Sequence, residues 1–224
     1  MKAILTSTNI TKIKGGVDLA AEMTGKPASA VNIAVINEAS AMEFGDHRFV
    51  IDDLKDLAGS FGGAIEIVHL LALPLEKIRE RILAADMLFA TGGNTEWLKV
   101  VFDKSGLSKI LPEILECKLY VGSSAGSMIL GRMPSYENQD AMYGKADHFG
   151  VESYLDLLDF LILPHFRAEY LNDRSDDWAV NESKSAGLPV YAISDSAGVA
   201  VDGEKIFLVG DGGYRISGGK IPGP

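Results

Sequence analysis

The chain has 224 residues, of which 47% are hydrophobic and 23% are charged, a balance typical of a globular protein with a full core. This length predicts one α/β domain over residues 1–224. The formal net charge of −10 argues against a nucleic-acid partner, because phosphate binding requires clustered Lys and Arg side chains.

The cysteine content and the N-terminus bear on the compartment of the protein. Cys117 is the single cysteine, so no internal disulfide can form, and a reducing compartment is the simplest expectation. The segment 1–10 is typical of a strand rather than of a signal peptide, and no window reaches the roughly 18 apolar residues that cross a bilayer. We therefore expect a cytoplasmic protein with no membrane partner, present as a monomer or a homodimer.

Short apolar runs alternate along the chain with segments of helical periodicity, which predicts a mainly parallel sheet covered by helices on both faces. The predicted strands are Ala3–Thr6, Asn32–Ile36, Ala64–Leu70, Met87–Ala90, Lys118–Gly122, Phe160–Leu163 and Val190–Ile193. The predicted helices cover residues 41–59, 75–84, 96–104, 107–116, 125–132 and 172–186.

The pattern changes after Ile193. Short runs of period two at Gly198–Val201, Lys205–Val209 and Tyr214–Ile216 are separated by turn residues, which predicts antiparallel hairpins that complete one edge of the sheet. These hairpins, at about 198–217, belong to the same predicted domain. The least regular stretch is 133–149, a polar connection long enough to be functional.

The strongest chemical motif is Gly122-Ser123-Ser124-Ala125-Gly126, where an apolar strand runs directly into a predicted helix. This Gly-x-Ser-x-Gly context is typical of a nucleophile elbow, because the two glycines let strand and helix approach closely while the central hydroxyl projects from the sheet. Ser124 is therefore the predicted nucleophile, and the amide of Ala125 is a predicted oxyanion donor. A tight turn that only binds an anion is the alternative interpretation of the motif.

A nucleophilic serine requires a base, and the chain has four histidines. His69 lies inside an apolar run and His47 lies among charged residues, so we expect them in the core and on the surface respectively. His165 follows the strand that ends at Leu163, which predicts a position at the carboxyl edge where parallel sheets carry their active sites. His165 is therefore the predicted base, with His148 in the irregular segment as the reserve.

A carboxylate that orients the base would complete the set. Glu137, Asp140 and Asp147 all lie between Ser124 and His165, and the residue pattern alone leaves the three open, since each could equally be a solvated carboxylate.

A second glycine motif, Thr91-Gly92-Gly93-Asn94-Thr95, closes another predicted strand. Its ordinary interpretation is a helix start capped by Asn94 or Thr95. Beside the serine elbow, the amide of Gly93 is a candidate for the second oxyanion donor.

These two motifs, followed by Leu163-Pro164-His165-Phe166, resemble in order and spacing the dipeptidase E and cyanophycinase family of serine peptidases. The resemblance extends from the opening strand to about Asp195. It implies a class I glutamine amidotransferase-like (flavodoxin-like) three-layer sandwich, with Ser124 as nucleophile and His165 as base.

The resemblance also bears on the third residue and on the substrate. The family places an acidic residue between serine and histidine, and Asp140 is the nearest counterpart of its Asn-Asp-Met sequence. Dipeptidase E cleaves dipeptides with N-terminal aspartate and uses basic residues after its histidine, for which Arg167 and Arg174 are the candidates, with Asn94 as a further substrate-binding residue. Glu96 stands where the family commonly has an aromatic residue, which leaves the pocket lining open.

The expected function is thus hydrolysis of short peptides, among them dipeptides with N-terminal Asp, through an acyl-enzyme and without a metal or other cofactor. Three alternatives remain open at this point. They are a cyanophycinase-like hydrolase of β-aspartyl-arginine linkages, an α/β-hydrolase esterase with its histidine unusually close to the serine, and a catalytically silent homologue that binds a metabolite.

Overall fold

In the computed structural model, ten strands form two sheets, and the structure describes residues 1–143, 148–171 and 174–221. The strands are β1 (Lys2–Thr6), β2 (Ile33–Ile36), β3 (Ile65–Ile67), β4 (Met87–Ala90), β5 (Leu119–Ser123), β6 (Leu161–Leu163), β7 (Val190–Ile193), β8 (Ala197–Asp202), β9 (Lys205–Gly210) and β10 (Gly213–Ile216). The helices are α1 (Gly16–Thr24), α2 (Arg48–Ser60), α3 (Leu75–Ala84), α4 (Thr95–Ser105), α5 (Leu107–Ile114), α6 (Ala125–Met128), α7 (Tyr136–Tyr143) and α8 (Asp176–Ala186).

The larger sheet has the strand order β3-β2-β4-β5-β1-β8-β9. Its first five strands are parallel, while β8 and β9 add an antiparallel edge beside β1. The α/β class with a mainly parallel sheet is therefore confirmed, and so is the placement of the first two C-terminal runs at its edge. The expectation of one domain stays a prediction.

The central strands are apolar on both faces, because helices cover both sides of the sheet. Ile4 of β1 packs with residues of α1 and α2, including Met23 and Leu57, in one buried cluster. Its neighbours along the strand belong to the other cluster, which includes residues of α3, α4 and α5. The alternation of strand side chains thus produces three layers.

A smaller sheet, in the order β10-β7-β6, was not expected from the sequence. β6 and β7 pair parallel with each other, and β10 pairs antiparallel with β7. The predicted placement of Tyr214–Ile216 at the edge of the main sheet is therefore wrong, because this run bonds to β7.

Several helix predictions also need correction. Helix α1 was missed, the predicted 41–59 helix begins only at Arg48 after a 3-10 turn at Glu38–Met42, and the predicted 125–132 helix ends at Met128. Within the irregular stretch 133–149, α7 is helical over Tyr136–Tyr143. In the part of the chain that the structure describes, no helix is long and apolar enough to cross a membrane.

Candidate active site

Ser124 lies at a sharp turn between β5 and α6, with φ 49° and ψ −111°. Such a conformation costs a non-glycine residue roughly 1–3 kcal/mol and persists only where the surroundings impose it. The flanking glycines permit the tight packing around this turn. A Cβ atom at Gly122 would lie 2.4 Å from the carbonyl oxygen of Gly126, and a Cβ atom at Gly126 would lie 2.2 Å from the carbonyl oxygen of Ala90.

The neighbouring hydroxyl of Ser127 has a structural position. Its Oγ lies 2.8 Å from the backbone oxygens of both Thr6 and Gly122, which share its one proton as acceptors, and it accepts from the Thr6 amide. These bonds join α6 to the ends of β1 and β5. Ser127 is therefore a structural residue, whereas Ser124 lines the cavity described below.

His165 and Ser124 come together although they belong to different sheets. His165 Nε2 lies 3.0 Å from Ser124 Oγ, and its other ring nitrogen, Nδ1, lies 2.7 Å from Oδ1 of Asp195. Three side chains thus form one hydrogen-bonded row, the arrangement in which a carboxylate orients an imidazole toward a nucleophile.

Asp195 is held as an ionised acceptor. Burial acts to raise the pKa of this carboxyl, but hydrogen bonds from His165 and Tyr170, together with the charge of Lys12, bring the pKa below its ordinary value. An ionised Asp195 accepts the Nδ1 proton of His165, which leaves Nε2 free to accept the proton of Ser124.

Tyr170 adds a second donor to this carboxylate. Its hydroxyl donates to Asp195 Oδ2 at 2.5 Å and lies 3.1 Å from His165 Nδ1. Burial, followed by the bond to Asp195, raises the pKa of Tyr170, so the hydroxyl keeps its proton at neutral pH.

The structure does not bring Asp140 to His165. Asp140 Oδ1 lies 2.7 Å from His148 Nε2, and the other nitrogen of His148 lies 2.6 Å from Glu96 Oε1. Because Glu96 also accepts the amide of Phe149, this network holds the segment at 148–149 against α4. The predicted contact of Asp140 with the base is therefore wrong, and Asp195 occupies that place.

Neither of the other two carboxylates considered from the sequence is assigned a contact with His165. Glu137 is exposed on α7, and Asp147 lies outside the described residues. The two ring nitrogens of His148, the reserve base, bond to Glu96 and Asp140.

The second glycine motif passes directly beside the elbow. A Cβ atom at Gly92 would lie 3.2 Å from Cβ and 3.8 Å from Oγ of Ser124. Gly93 has φ 134°, and a Cβ atom there would meet the backbone of Ala39 at 2.3 Å. Gly93 is required by its positive φ and by its close approach to the backbone of Ala39, whereas Gly92 brings the turn beside Ser124.

Asn94 follows this turn and has two roles in the structure. Its Oδ1 accepts the amide of Trp97 at 2.9 Å, which makes Asn94 the N-cap of α4, as the ordinary interpretation of the motif expects. Asn94 also lines the cavity.

A cavity of about 490 Å³ opens at Ser124. This volume suits a small ligand. Its walls include Ser7, Asn9, Lys12, Asp53, Gly92, Gly93, Asn94, Ser124, His165, Tyr170 and Arg174, together with the apolar side chains of Met42, Phe44 and Phe49.

The two arginines predicted to bind substrate lie in different places. Arg174 is buried, lines the cavity and stacks on Trp178, with its guanidinium carbon 4.7 Å from the ring centre. Arg167 pairs through two nitrogens with Asp176, at 2.6 and 2.8 Å, and is not part of the cavity wall. Only Arg174 is therefore positioned for a ligand beside Ser124.

A comparison with protein families matches residues 7–209 to the model of Peptidase family S51. That span covers most of the chain, including the elbow, the glycine turn, His165 and Asp195. The chain belongs to peptidase family S51.

Relatives of this S51 chain carry peptidase names. An uncharacterized peptidase of Pasteurella multocida is 24% identical over 80% of this chain and 86% of its own length. A Drosophila melanogaster protein named a probable alpha-aspartyl dipeptidase is 28% identical over 76% of this chain and 71% of its own length.

Solved structures support the fold. A Listeria monocytogenes EGD-e protein assigned as a peptidase E is similar with a TM-score of 0.73 and 24% identity, over 96% of this chain and 98% of its own. A peptidase from an acI-B1 Actinobacterium has a TM-score of 0.66 at 15% identity, over 97% and 91% of the two chains.

For this S51 chain, sequence reasoning missed Asp195 and Tyr170. Asp195 stands two residues after β7, just as His165 stands two residues after β6, and these strands are parallel neighbours. A polar residue after the strand next to that of the base was the available signal. Tyr170 lies in an irregular segment, and no pattern in the sequence singles it out.

Proposed function

We propose that this chain is a serine peptidase that hydrolyses short peptides through an acyl-enzyme, with Ser124 as nucleophile and His165 as general base. The observation that carries the proposal is the hydrogen-bonded row of Ser124, His165 and Asp195 at the wall of a ligand-sized cavity. Membership of a peptidase family supports the same reaction class.

In the proposed acylation step, His165 Nε2 takes the proton of Ser124 as Oγ attacks the peptide carbonyl carbon. Asp195 stabilises the imidazolium that forms and fixes its orientation. The imidazolium then donates its proton to the leaving amine as the peptide bond breaks, which leaves an ester on Ser124. Water, deprotonated by His165, hydrolyses this ester and restores the free hydroxyl.

The negative charge that develops on the carbonyl oxygen needs donors. We assign the amides of Ala125, which follows the nucleophile, and of Gly93, whose turn is held against the elbow. Removing one such donor in serine peptidases costs about 10²–10³-fold in kcat, so the geometry of the glycine turn is part of the proposed reaction.

Asp195, rather than Asp140, is the proposed third member of the row. The distance of 2.7 Å to His165 Nδ1 and the lowered pKa of this carboxyl both support the assignment. Asp140 is assigned instead to holding the segment at 148–149 through His148.

The proposed substrates are dipeptides with an N-terminal aspartate. Arg174 supplies a guanidinium in the cavity wall that suits the carboxylate of such a substrate. The name of the Drosophila relative agrees with this class. β-Aspartyl-arginine linkages are the second substrate class to be assayed, and the identity of the released products separates the two.

The test compares the hydrolysis of Asp-Leu at neutral pH by the purified chain and by Ser124→Ala. The release of free leucine measures the rate. We expect measurable turnover by the parent and a loss of at least about 10³-fold in the variant, because the nucleophile is absent. The melting temperatures of the parent and of Ser124→Ala control for effects on folding. Equal rates for the parent and Ser124→Ala would contradict the proposal.

A further inference from the structure

Asp53 is a buried carboxylate in the wall of the cavity that contains Ser124, and the proposed reaction does not use it. Asp53 lies on α2, is 7% exposed and lines the cavity, whereas the three members of the hydrogen-bonded row all follow strands. A buried carboxylate is costly to keep, so its presence at a ligand cavity calls for a chemical reason.

Asp53 is tied to the hydrogen-bonded row through one short segment after β1. The side-chain nitrogen of Asn9 donates to the backbone oxygen of Asp53 at 3.0 Å. Two residues earlier, Ser7 Oγ accepts the backbone amide of His165 at 2.9 Å, and Thr8 Oγ1 donates to the backbone oxygen of Asp195 at 2.8 Å. The segment 7–9 therefore fixes the position of Asp53 relative to the reacting groups.

The charges around Asp53 leave room for a cation. Burial raises the pKa of Asp53 to about 6, against the opposing effects of Asn9 and Lys12, while Asp52 and Asp56 on the same helix act to raise it further. In the described part of the chain, no Lys or Arg forms an ion pair with this carboxylate. The ammonium group of Lys12, in the same wall, acts on Asp53 from beyond ion-pair distance, so a ligand ammonium group in the cavity would supply a closer opposite charge.

We propose that Asp53 binds the free α-ammonium group of the substrate's N-terminal residue and so restricts the site to the first peptide bond of an unblocked peptide. This inference rests on the proposed peptidase function. The wall of the cavity contains two carboxylates, Glu43 and Asp53, and two basic side chains, Lys12 and Arg174. Of these, the buried Asp53 binds the amino end of a small zwitterionic ligand in this proposal, and the buried Arg174 binds its carboxylate.

The experiment compares Asp-Leu-amide with its N-acetylated form at pH 7.5 for the parent, Asp53→Asn and Asp52→Asn. Asp52→Asn is the matched control. It is the same substitution on the same helix, at an exposed side chain that pairs with Lys55. We expect the parent to prefer the free amine, and Asp53→Asn to raise KM for that substrate by about 30-fold or more with kcat within a few-fold. The N-acetylated peptide should be a poor substrate, and its low rate of cleavage should be the same for the parent and both variants.

Labelling of Ser124 by a fluorophosphonate, followed by intact mass, separates the two ways of failing. If the parent labels and cleaves but Asp53→Asn keeps the parent's KM for the free amine, or loses both substrates equally, the role of Asp53 is overturned and the peptidase proposal stands. If the parent neither labels nor cleaves, the peptidase proposal fails and the inference falls with it.

Discussion

At the scale of single residues, the site depends on groups that follow strands of different sheets. Ser124 follows β5 of the main sheet, while His165 and Asp195 follow β6 and β7 of the smaller one. Both Ser124 and His165 have positive φ angles, 49° and 60°, so the turns that aim their side chains at each other are held in conformations that an isolated chain disfavours.

The assignment of the third residue gives a direct prediction. Asp195→Asn should lower kcat for peptide hydrolysis by about 10³–10⁴-fold, because an amide does not stabilise the imidazolium and can favour the wrong tautomer of His165. Asp140→Asn, the same change at the carboxylate expected from the sequence, should stay within about threefold of the parent. Initial rates at saturating substrate measure both, and a larger loss for Asp140→Asn would reverse the assignment.

The residues show why the sequence predicted part of the site and not the rest. Ser124 and His165 were predictable because each lies within two residues of the end of an apolar strand, and a strand end locates a residue at the sheet edge. The identity of the acid depends on which strands become neighbours, and the pairing of β6 with β7 in a separate sheet carries no local signal. Asp140 was preferred by resemblance, whereas in the structure it bonds to His148, whose other ring nitrogen bonds to Glu96.

At the scale of elements, the segment after β1 joins the two sheets at the site. Ser7 Oγ donates to the backbone oxygen of Ile193 at 2.7 Å and accepts the amide of His165 at 2.9 Å. One buried hydroxyl therefore links the end of β1 to the residues that follow β6 and end β7. The relative position of Ser124 and His165 depends on this link.

Ser7→Ala should therefore lower kcat about 10-fold and destabilise the fold by about 1–2 kcal/mol, because two buried hydrogen bonds lose their common partner. Ser185→Ala on α8, whose hydroxyl donates only to a backbone oxygen of its own helix, is the matched control and should behave like the parent. Peptidase rates and urea denaturation measure the two effects. A parent-like kcat for Ser7→Ala would show that the link does not position His165.

The main elements were predictable because their patterns are local. The five parallel strands have apolar runs that end at turn residues, and each was located within a few residues. Helix α1 was missed because its small and polar residues give a weak periodic signal. Helix α6 ends at Met128, and Gly131 then packs closely against the backbone of Phe160. Both depend on tertiary packing rather than on propensity.

At the scale of the whole molecule, the buried carboxylate of Asp53 in the cavity wall lowers the free energy of unfolding when it is ionised. Asp53 has a folded-state pKa of about 6, raised by burial, against an ordinary value of 3.8. Because the folded state binds this proton more tightly than the unfolded state, the contribution of Asp53 to stability falls as pH rises through the window from about 4 to 6.

Asp53→Asn should therefore raise the free energy of unfolding at pH 8 by about 1–3 kcal/mol, since a neutral amide replaces a buried charge. The gain should shrink as pH falls through 6 and approach zero near pH 4. Denaturant unfolding at pH 4, 6 and 8 measures it, and Asp52→Asn, which removes only a minor like charge near Asp53, should show a smaller trend. A gain that is the same at all three pH values would contradict the role of ionisation.

The central claim is that the row of Ser124, His165 and Asp195 makes one serine reactive, and covalent labelling tests it most directly. The chain is treated with a fluorophosphonate at neutral pH, and the modified residue is located by mass spectrometry of its peptides. We expect one adduct on Ser124, formed at least about 10²-fold more slowly in His165→Ala, where the general base is absent. No adduct, an adduct on Ser123 or Ser127, or an unchanged rate in His165→Ala would contradict the account.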